Sequence, residues 1–234
     1  PTTGSWGLLQ ALELPERDQD DMLMLAPSAG CSQRVDLPDG DVLLPVSYLP
    51  SATLDKNVNT FDYSGAVLLN SVVARCGFDG ERLTYKEHGT KHSITSDHSR
   101  RLAKRRGVEF SARGLAEPSL ASFEDAFFLT LRSDHSAFVT KGKDGINFEE
   151  VREWTFDDGE ILGSYCTQQH WAIIGGRLYL LYCRTSGNNG HIFRHRAPIF
   201  IAEVDPEKLQ VIRSSEQAAI PENNAGMGNF GVCQ

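Results

Sequence analysis

The sequence holds only three methionines, and few of its stretches carry a long helical period. No apolar run approaches the roughly 20 residues that span a bilayer, so no membrane span is expected. No charged and apolar leader of the secretory kind is visible at the front. The five cysteines, Cys31, Cys76, Cys166, Cys183 and Cys233, are odd in number and lack C-x-x-C spacing. That excludes a zinc ribbon and a full disulfide framework, and leaves open whether one pair bridges. Positive charge is in deficit, with 23 Lys and Arg against 31 Asp and Glu, a net charge of −8. A general nucleic-acid binder would be basic, so no nucleic-acid partner is expected. The chain begins at Pro1 rather than Met, which reads as trimming or a missing front end.

What is present is turn chemistry. Twenty-one glycines, several in Asp-Gly pairs, divide short apolar runs, and this pattern favours an all-β fold. Residues 1–28 read as an entering strand or loop with Trp6 and a solvated acidic patch from Glu13 to Asp21. Asp39-Gly40 is a turn before a strand from Val42 to Tyr48, apolar on both faces and therefore buried on both. Residues 51–64 form a polar loop. Residues 67–76 and 82–87 make a strand pair around Asp79-Gly80. Residues 88–113 break the rhythm with His88, His92, His98 and a basic run, Arg100-Arg101 and Lys104-Arg105-Arg106. The expectation is an insertion, mostly a solvated loop, with a short helix near Leu102. Loops of that length inside compact domains are often functional.

The stretch 114–148 organises the rest. Two apolar runs flank Phe123-Glu124-Asp125-Ala126, and Lys143-Asp144-Gly145 closes a third strand. These are hairpin signals, and Gly supplies the positive φ that such turns need. The theme returns at His170 to Arg184 around Gly175-Gly176, about one propeller blade later on the ~40–50 residue repeat of such folds. Strands follow at Ile192 to Val204, stopped by Asp205-Pro206, and at Leu209 to Arg213. The tail from Gly226 to Gln234 begins another.

Glu117-Pro118-Ser119-Leu120 followed by Phe127-Phe128-Leu129-Thr130-Leu131-Arg132 resembles the sialidase (neuraminidase) superfamily, where a glutamate opens a strand and an arginine closes its hairpin partner. Gly142-Lys143-Asp144-Gly145-Ile146-Asn147-Phe148 is similar to that family's Asp-box turn, with Gly142 for the usual serine and Phe148 for the usual tryptophan. The resemblance covers roughly residues 114–204. It implies a β-propeller of four-stranded antiparallel blades. The reading is of one domain, residues 1–234, with the basic insertion at about 88–113. At ~40–50 residues per blade the chain supplies about four or five blades, fewer given the insertion, while sialidase-like rings have six or seven. The chain therefore covers part of a ring, closed by missing segments or by other copies. A β-sandwich is the alternative fold.

A pocket for an acidic sugar needs cations aimed at one carboxylate, and arginine's planar fork binds carboxylate bidentately. The resemblance assigns Glu117 to polarising a catalytic tyrosine, and Arg132 to the second arginine of the carboxylate-binding triad. Strand-end ion pairing is the plainer alternative for both. In Arg194-His195-Arg196, read as the opening of a strand, Arg194 and Arg196 share one face and His195 takes the other. One of the two matches the third arginine; pairing with Glu203 or Asp205 is the alternative. Arg184 is a further candidate. Gln168-Gln169-His170-Trp171 groups amides, an imidazole and an indole, which suits a sugar site. His170 acts near neutral pH, and Gln169 and Trp171 contact the sugar; a structural role is the alternative. His88 with His92, and His191 with His195, have ligand spacing only on a helix, so no metal or other cofactor is expected.

The sequence departs from sialidases late in the chain. Where the family carries a nucleophilic tyrosine, Gly226-Met227-Gly228-Asn229-Phe230 offers only Phe230, which has no hydroxyl. The family's first arginine and its acid/base aspartate are not placed. Three functions stay open. The first is a sialidase-type glycoside hydrolase releasing a terminal acidic sugar. The second resembles propellers acting on rhamnose–glucuronate linkages by hydrolysis or elimination, with His170 or His195 as base or acid. The third is a glycan-binding propeller without turnover. The expected partner is an acidic glycan. The compartment stays open, an extracellular or periplasmic one fitting somewhat better than the cytoplasm.

Overall fold

A computed structural model describes residues 10–51, 68–107, 113–165 and 167–233. Trp6, most of the 51–64 loop, Cys166 and the last residue of the tail lie outside the described residues.

The chain folds into three successive, predominantly antiparallel sheets. The first orders β1 (Met24–Ser28), β3 (Val42–Pro50), β4 (Asn70–Phe78) and β5 (Leu83–His88), with β2 (Val35–Asp36) also on β3. The second is a simple meander of β6 (Ala116–Phe123), β7 (Ala126–Arg132), β8 (Ala137–Gly142) and β9 (Arg152–Glu153). The third runs β11 (His170–Ile174), β12 (Arg177–Tyr182), β13 (Ile199–Asp205), β14 (Gln210–Val211) and β10 (Thr155–Phe156), with β15 (Gln217–Ile220) added to β13. The only parallel pair among these is β10 with β14. Meandering sheets packed face to face around β6 are propeller blades. Three blades are described, fewer than four or five, as the insertion led one to expect. The insertion before β6, with α1, and the connection from β12 to β13 take up chain length outside the blades.

Turn residues set the registers. Gly175 and Gly176 have φ of 58° and 75°, and Ile174 pairs with Arg177 across them, the two-residue loop that suits twisted antiparallel strands. At Lys143-Asp144-Gly145, Asp144 Oδ1 accepts from the backbone N–H of Ile146 at 3.0 Å and of Asn147 at 2.7 Å. A Cβ on Gly145, whose φ is +81°, would lie 2.3 Å from Leu43 Cδ1. Only glycine lets this turn seat against the first blade.

The blades share two apolar seams. Leu43 and Val73 meet Leu120, Leu131, Phe138 and Ile146 between the first and second blades. Phe128, Val139 and Trp154 meet Trp171, Leu180 and Val211 between the second and third. Gln33 ties all three. Its carbonyl accepts from Leu120 N at 2.9 Å. Its side chain donates to Trp171 O at 3.0 Å and accepts from Trp171 N at 2.8 Å.

Helix α1 (Ser96–Arg106) is the short helix expected near Leu102, and it takes in the basic run expected as a solvated loop. Thr95 caps it by accepting from His98 N, Gly107 ends it in the left-handed region at φ 67°, and Leu102 and Ala103 are buried. The acidic patch is also not wholly solvated. Asp18 is buried and accepts from Tyr48 OH at 2.6 Å. The strand expected from Ile192 begins only at Ile199, after a cis Ala197–Pro198 bond. Likewise, only Gln210 and Val211 pair in the segment expected from 209 to 213. The tail forms no strand among its described residues. Met227 and Phe230 instead pack on Tyr165, Cys183 and Ile199.

Candidate functional site

The site begins at a distortion in β6. The β6–β7 register shifts between Ala116 and Ser119, and within that bulge Glu117 takes φ 47°. Pro118 removes a donor from the same spot. A bulge re-aims side chains, and this one turns Glu117 toward the end of β7. There Glu117 Oε2 accepts from Arg132 Nη1 at 2.6 Å, while Oε1 lies 3.7 Å from Arg113 Nη1. Arg113 Nε reaches Asp134 Oδ1 at 3.1 Å. Arg132 is 1% exposed. Its Nε donates to Tyr165 O at 3.0 Å, but its buried Nη2 has no hydrogen-bond partner among the described residues.

Arg194 lies near enough to this group for its charges to act on it. It does not sit on a strand. Phe193–His195 form a 3-10 turn in which Arg194 has φ 56° and ψ 21°, so the shared face expected for Arg194 and Arg196 does not exist. The turn nonetheless brings Arg194 to the cations. Burial lowers its pKa, and the charges of Arg132, Arg196 and Arg113 lower it further, opposed by Asp134. Among the described residues Arg194 makes no hydrogen bond or ion pair. Four arginines thus share a region holding two carboxylates, Glu117 and Asp134. His195, at the end of the turn, shares a hydrogen bond with Tyr165 OH through Nδ1 at 3.0 Å.

His170 opens β11 beside Glu117. Its Nδ1 and Ser119 Oγ are 3.0 Å apart, and the Phe230 ring stands edge-on at 5.2 Å between centroids. Burial lowers the imidazole's pKa, opposed by the Phe230 backbone and by the Glu117 charge. His170 is therefore neutral at pH 7. A cavity of about 290 Å³ is lined by Glu117 and Arg113 together with Cys31, Ser47 and Leu69.

Two residues expected to touch sugar are core residues. Trp171 is fully buried, donates through Nε1 to Ser119 O at 2.9 Å and packs against Trp154. Gln169 is fully buried and accepts from Thr130 Oγ1 at 3.3 Å. Its amide donates to Ser164 Oγ at 3.0 Å and Thr167 O at 2.8 Å. Both hold the blade behind His170. Arg184 lies away from the group, pairing with Glu216 at 2.5 Å near the rings of Phe156 and Phe200. Sequence reasoning missed Arg113, Asp134 and Tyr165. Asp134 lies in a polar break, Ser133-Asp134-His135-Ser136, that reads as an ordinary turn. Arg113 ends the insertion, and nothing local distinguishes it from its basic neighbours.

No protein-family model and no curated protein matches the chain. Solved structures do. The chain is similar to Trypanosoma rangeli sialidase in complex with sialic acid, at 14% identity and a TM-score of 0.50, over 86% of this chain and 27% of that one. It is also similar to a family 117 glycoside hydrolase of Zobellia galactanivorans, at 11% identity and a TM-score of 0.44, over 79% of this chain and 53% of that one. The GH43_1 enzyme from Xanthomonas citri complexed with xylotriose matches at 12% identity and a TM-score of 0.45, over 84% and 54%. The chain spans about a quarter of the length of the sialidase, 27%. At such identity the likeness speaks for the fold alone, and the fold is that of a β-propeller.

Proposed function

We propose that the chain is part of a carbohydrate-active enzyme that binds a terminal acidic sugar and removes it from a glycan, in the manner of a sialidase-type glycoside hydrolase. One observation carries this reading: Arg132 keeps a buried Nη2 without a partner, and Arg194, also without one among the described residues, is near enough for the charges of Arg132 and Arg113 to act on it. Buried N–H groups without acceptors are costly, and like charges held together repel. A carboxylate accepting from both arginines relieves both costs. Glu117 and Asp134 keep Arg132 and Arg113 in position, and Glu117 positions the sugar or tunes a nucleophile. The Asp144 turn supports the same family reading, because it carries the aspartate-to-backbone hydrogen bonds on which an Asp-box turn depends.

A second reading rests on His170. A buried imidazole whose pKa burial lowers, and on which the Glu117 charge acts, suits removal of a proton from a uronate. Neutralising the uronate carboxylate acidifies its C5 proton; as His170 takes that proton, the C4=C5 double bond forms, the C4–O bond breaks and the departing sugar oxygen is protonated from water.

The test is mass analysis of products after incubation with glycans capped by sialic acid or by rhamnose–glucuronate. Free sialic acid is the expected product. An unsaturated uronate product replaces the first reading with the second. Intact glycans with no bound sugar overturn both, and intact glycans with bound sugar leave a binding propeller.

A further inference from the structure

Helix α1 belongs to the segment that interrupts the blades, yet its last residue reaches the arginine cluster. The guanidinium carbon of Arg106 lies 3.4 Å from the centroid of the Tyr165 ring. Its Nη1 donates to Asp134 O at 2.9 Å and lies 3.5 Å from His135 Nδ1. Tyr165 touches both flanks of the site, through its carbonyl to Arg132 Nε at 3.0 Å and through its hydroxyl to His195 Nδ1 at 3.0 Å. The ring is 9% exposed, with Met227 and Phe230 packed on its cluster. Arg106 itself is held independently of the site by the capped helix and by the buried Leu102 and Ala103. A planar cation stacked on a phenol ring fixes that ring more firmly than a lysine ammonium can.

We infer that Arg106 is a positioning residue, clamping Tyr165 so that Tyr165 holds Arg132 and His195 in place around the anionic group of the substrate. The inference rests on the carboxylate-binding reading above. It gives the insertion a role: α1 braces the site from behind, and the blade strands alone do not fix Tyr165, which follows β10 and precedes β11 in irregular chain. The His195 imidazole carries a signature of this contact, because burial lowers its pKa first and the Arg106 charge lowers it further.

Three variants, Arg106→Ala, Arg106→Lys and Arg105→Ala, are compared by NMR titration of His195 and by the dissociation constant for N-acetylneuraminic acid. Arg106→Ala is expected to raise the His195 pKa and weaken the sugar about tenfold. Arg106→Lys keeps the charge and not the stack, so it leaves the His195 titration near that of the parent and still weakens the sugar. Arg105→Ala, on the same helix but facing Glu153, controls for damage to α1 and is expected to move neither. The inference is overturned if Arg106→Ala leaves His195 unmoved, or if Arg105→Ala has the same effects. Should the parent protein fail to bind the sugar, the carboxylate reading falls, while the NMR shifts of the Tyr165 ring protons still decide the clamp: they are expected to move in Arg106→Lys as in Arg106→Ala, and unmoved shifts in both overturn it.

Discussion

Glu117 Oε2 and Arg132 Nη1 lie 2.6 Å apart across a bulge that exists in only one of the two paired strands. The carboxylate leaves its strand at a positive φ to reach an arginine that ends the neighbouring strand. This couples the backbone of β6 to the charge balance of the site. The pair is unequal in burial, with side-chain exposures of 2% for Arg132 and 21% for Glu117, and the cost of breaking it depends on which partner is removed.

Arg132→Ala strands Glu117 beside Arg113 alone and opens a hole under Tyr165. Breaking a buried pair costs about 3–5 kcal/mol, and the partial exposure of Glu117 places this one near the lower end. Glu117→Gln keeps the shape and one hydrogen bond, with an expected cost of about 1 kcal/mol. The double variant is expected to fall short of the sum, because each change removes the same contact. Urea unfolding of the four proteins measures this, and strict additivity would refute the coupling.

Arg194 stands opposite in character, a cation among cations. Arg194→Ala is expected to raise stability by a few tenths to about 1 kcal/mol, the range of partly exposed charge pairs with the sign reversed. The same variant should weaken a carboxylated sugar roughly ten- to hundredfold, since a hydrogen bond between charged groups contributes about 1.5–3 kcal/mol. Thermal unfolding with and without N-acetylneuraminic acid reads both effects. A destabilised Arg194→Ala protein would show that the crowding is already compensated.

The fold was legible where turn chemistry and period coincided. Asp144-Gly145 correctly marked the close of β8 and Gly175-Gly176 the β11–β12 hairpin, because glycine at positive φ leaves few other conformations. The site was legible in part. Glu117, Arg132 and His170 sit at strand starts and ends, where a two-residue period predicts direction. Arg194 and Arg196 looked like strand residues because the apolar run at Ala197 to Phe200 follows them, but the strand begins only at Ile199. Trp171 and Gln169 show the limit from the other side: an indole and an amide read as sugar contacts are equally what a blade seam needs when Ser119 O and Ser164 Oγ lie within reach. Arg113, Asp134 and Tyr165 come together only through tertiary contacts between segments that carry no local pattern.

His170 should report the state of Glu117. A carboxylate nearby favours the imidazolium form, so Glu117 raises a pKa that burial has lowered below the ordinary 6.5. Removing that charge in Glu117→Gln is therefore expected to lower the His170 pKa further, measured by NMR titration of its ring protons. A rise, or no change, would place Glu117 too far away to act on His170 and would separate the acid and base candidates.

His92 supplies a pH dependence outside the site. It is 4% exposed, its ring meets Phe148 edge-on at 5.7 Å, and burial pushes its pKa down to about 4. The folded protein therefore holds this imidazole neutral, while the unfolded chain protonates it near the ordinary 6.5. Between those two values the unfolded state binds more protons, and stability rises with pH. Above pH 6.5 the contribution is constant, and as the pH falls toward 4 it is lost, by about 3 kcal/mol in all at 1.36 kcal/mol per pKa unit. His92→Phe keeps an aromatic ring against Phe148 and has nothing to protonate. Its unfolding free energy should fall less steeply than the parent's from pH 6.5 to 4.5, with the two proteins closest in slope above pH 7. Parallel curves throughout the acid range would mean that His92 is protonated in the folded state and that the acid sensitivity arises from other groups.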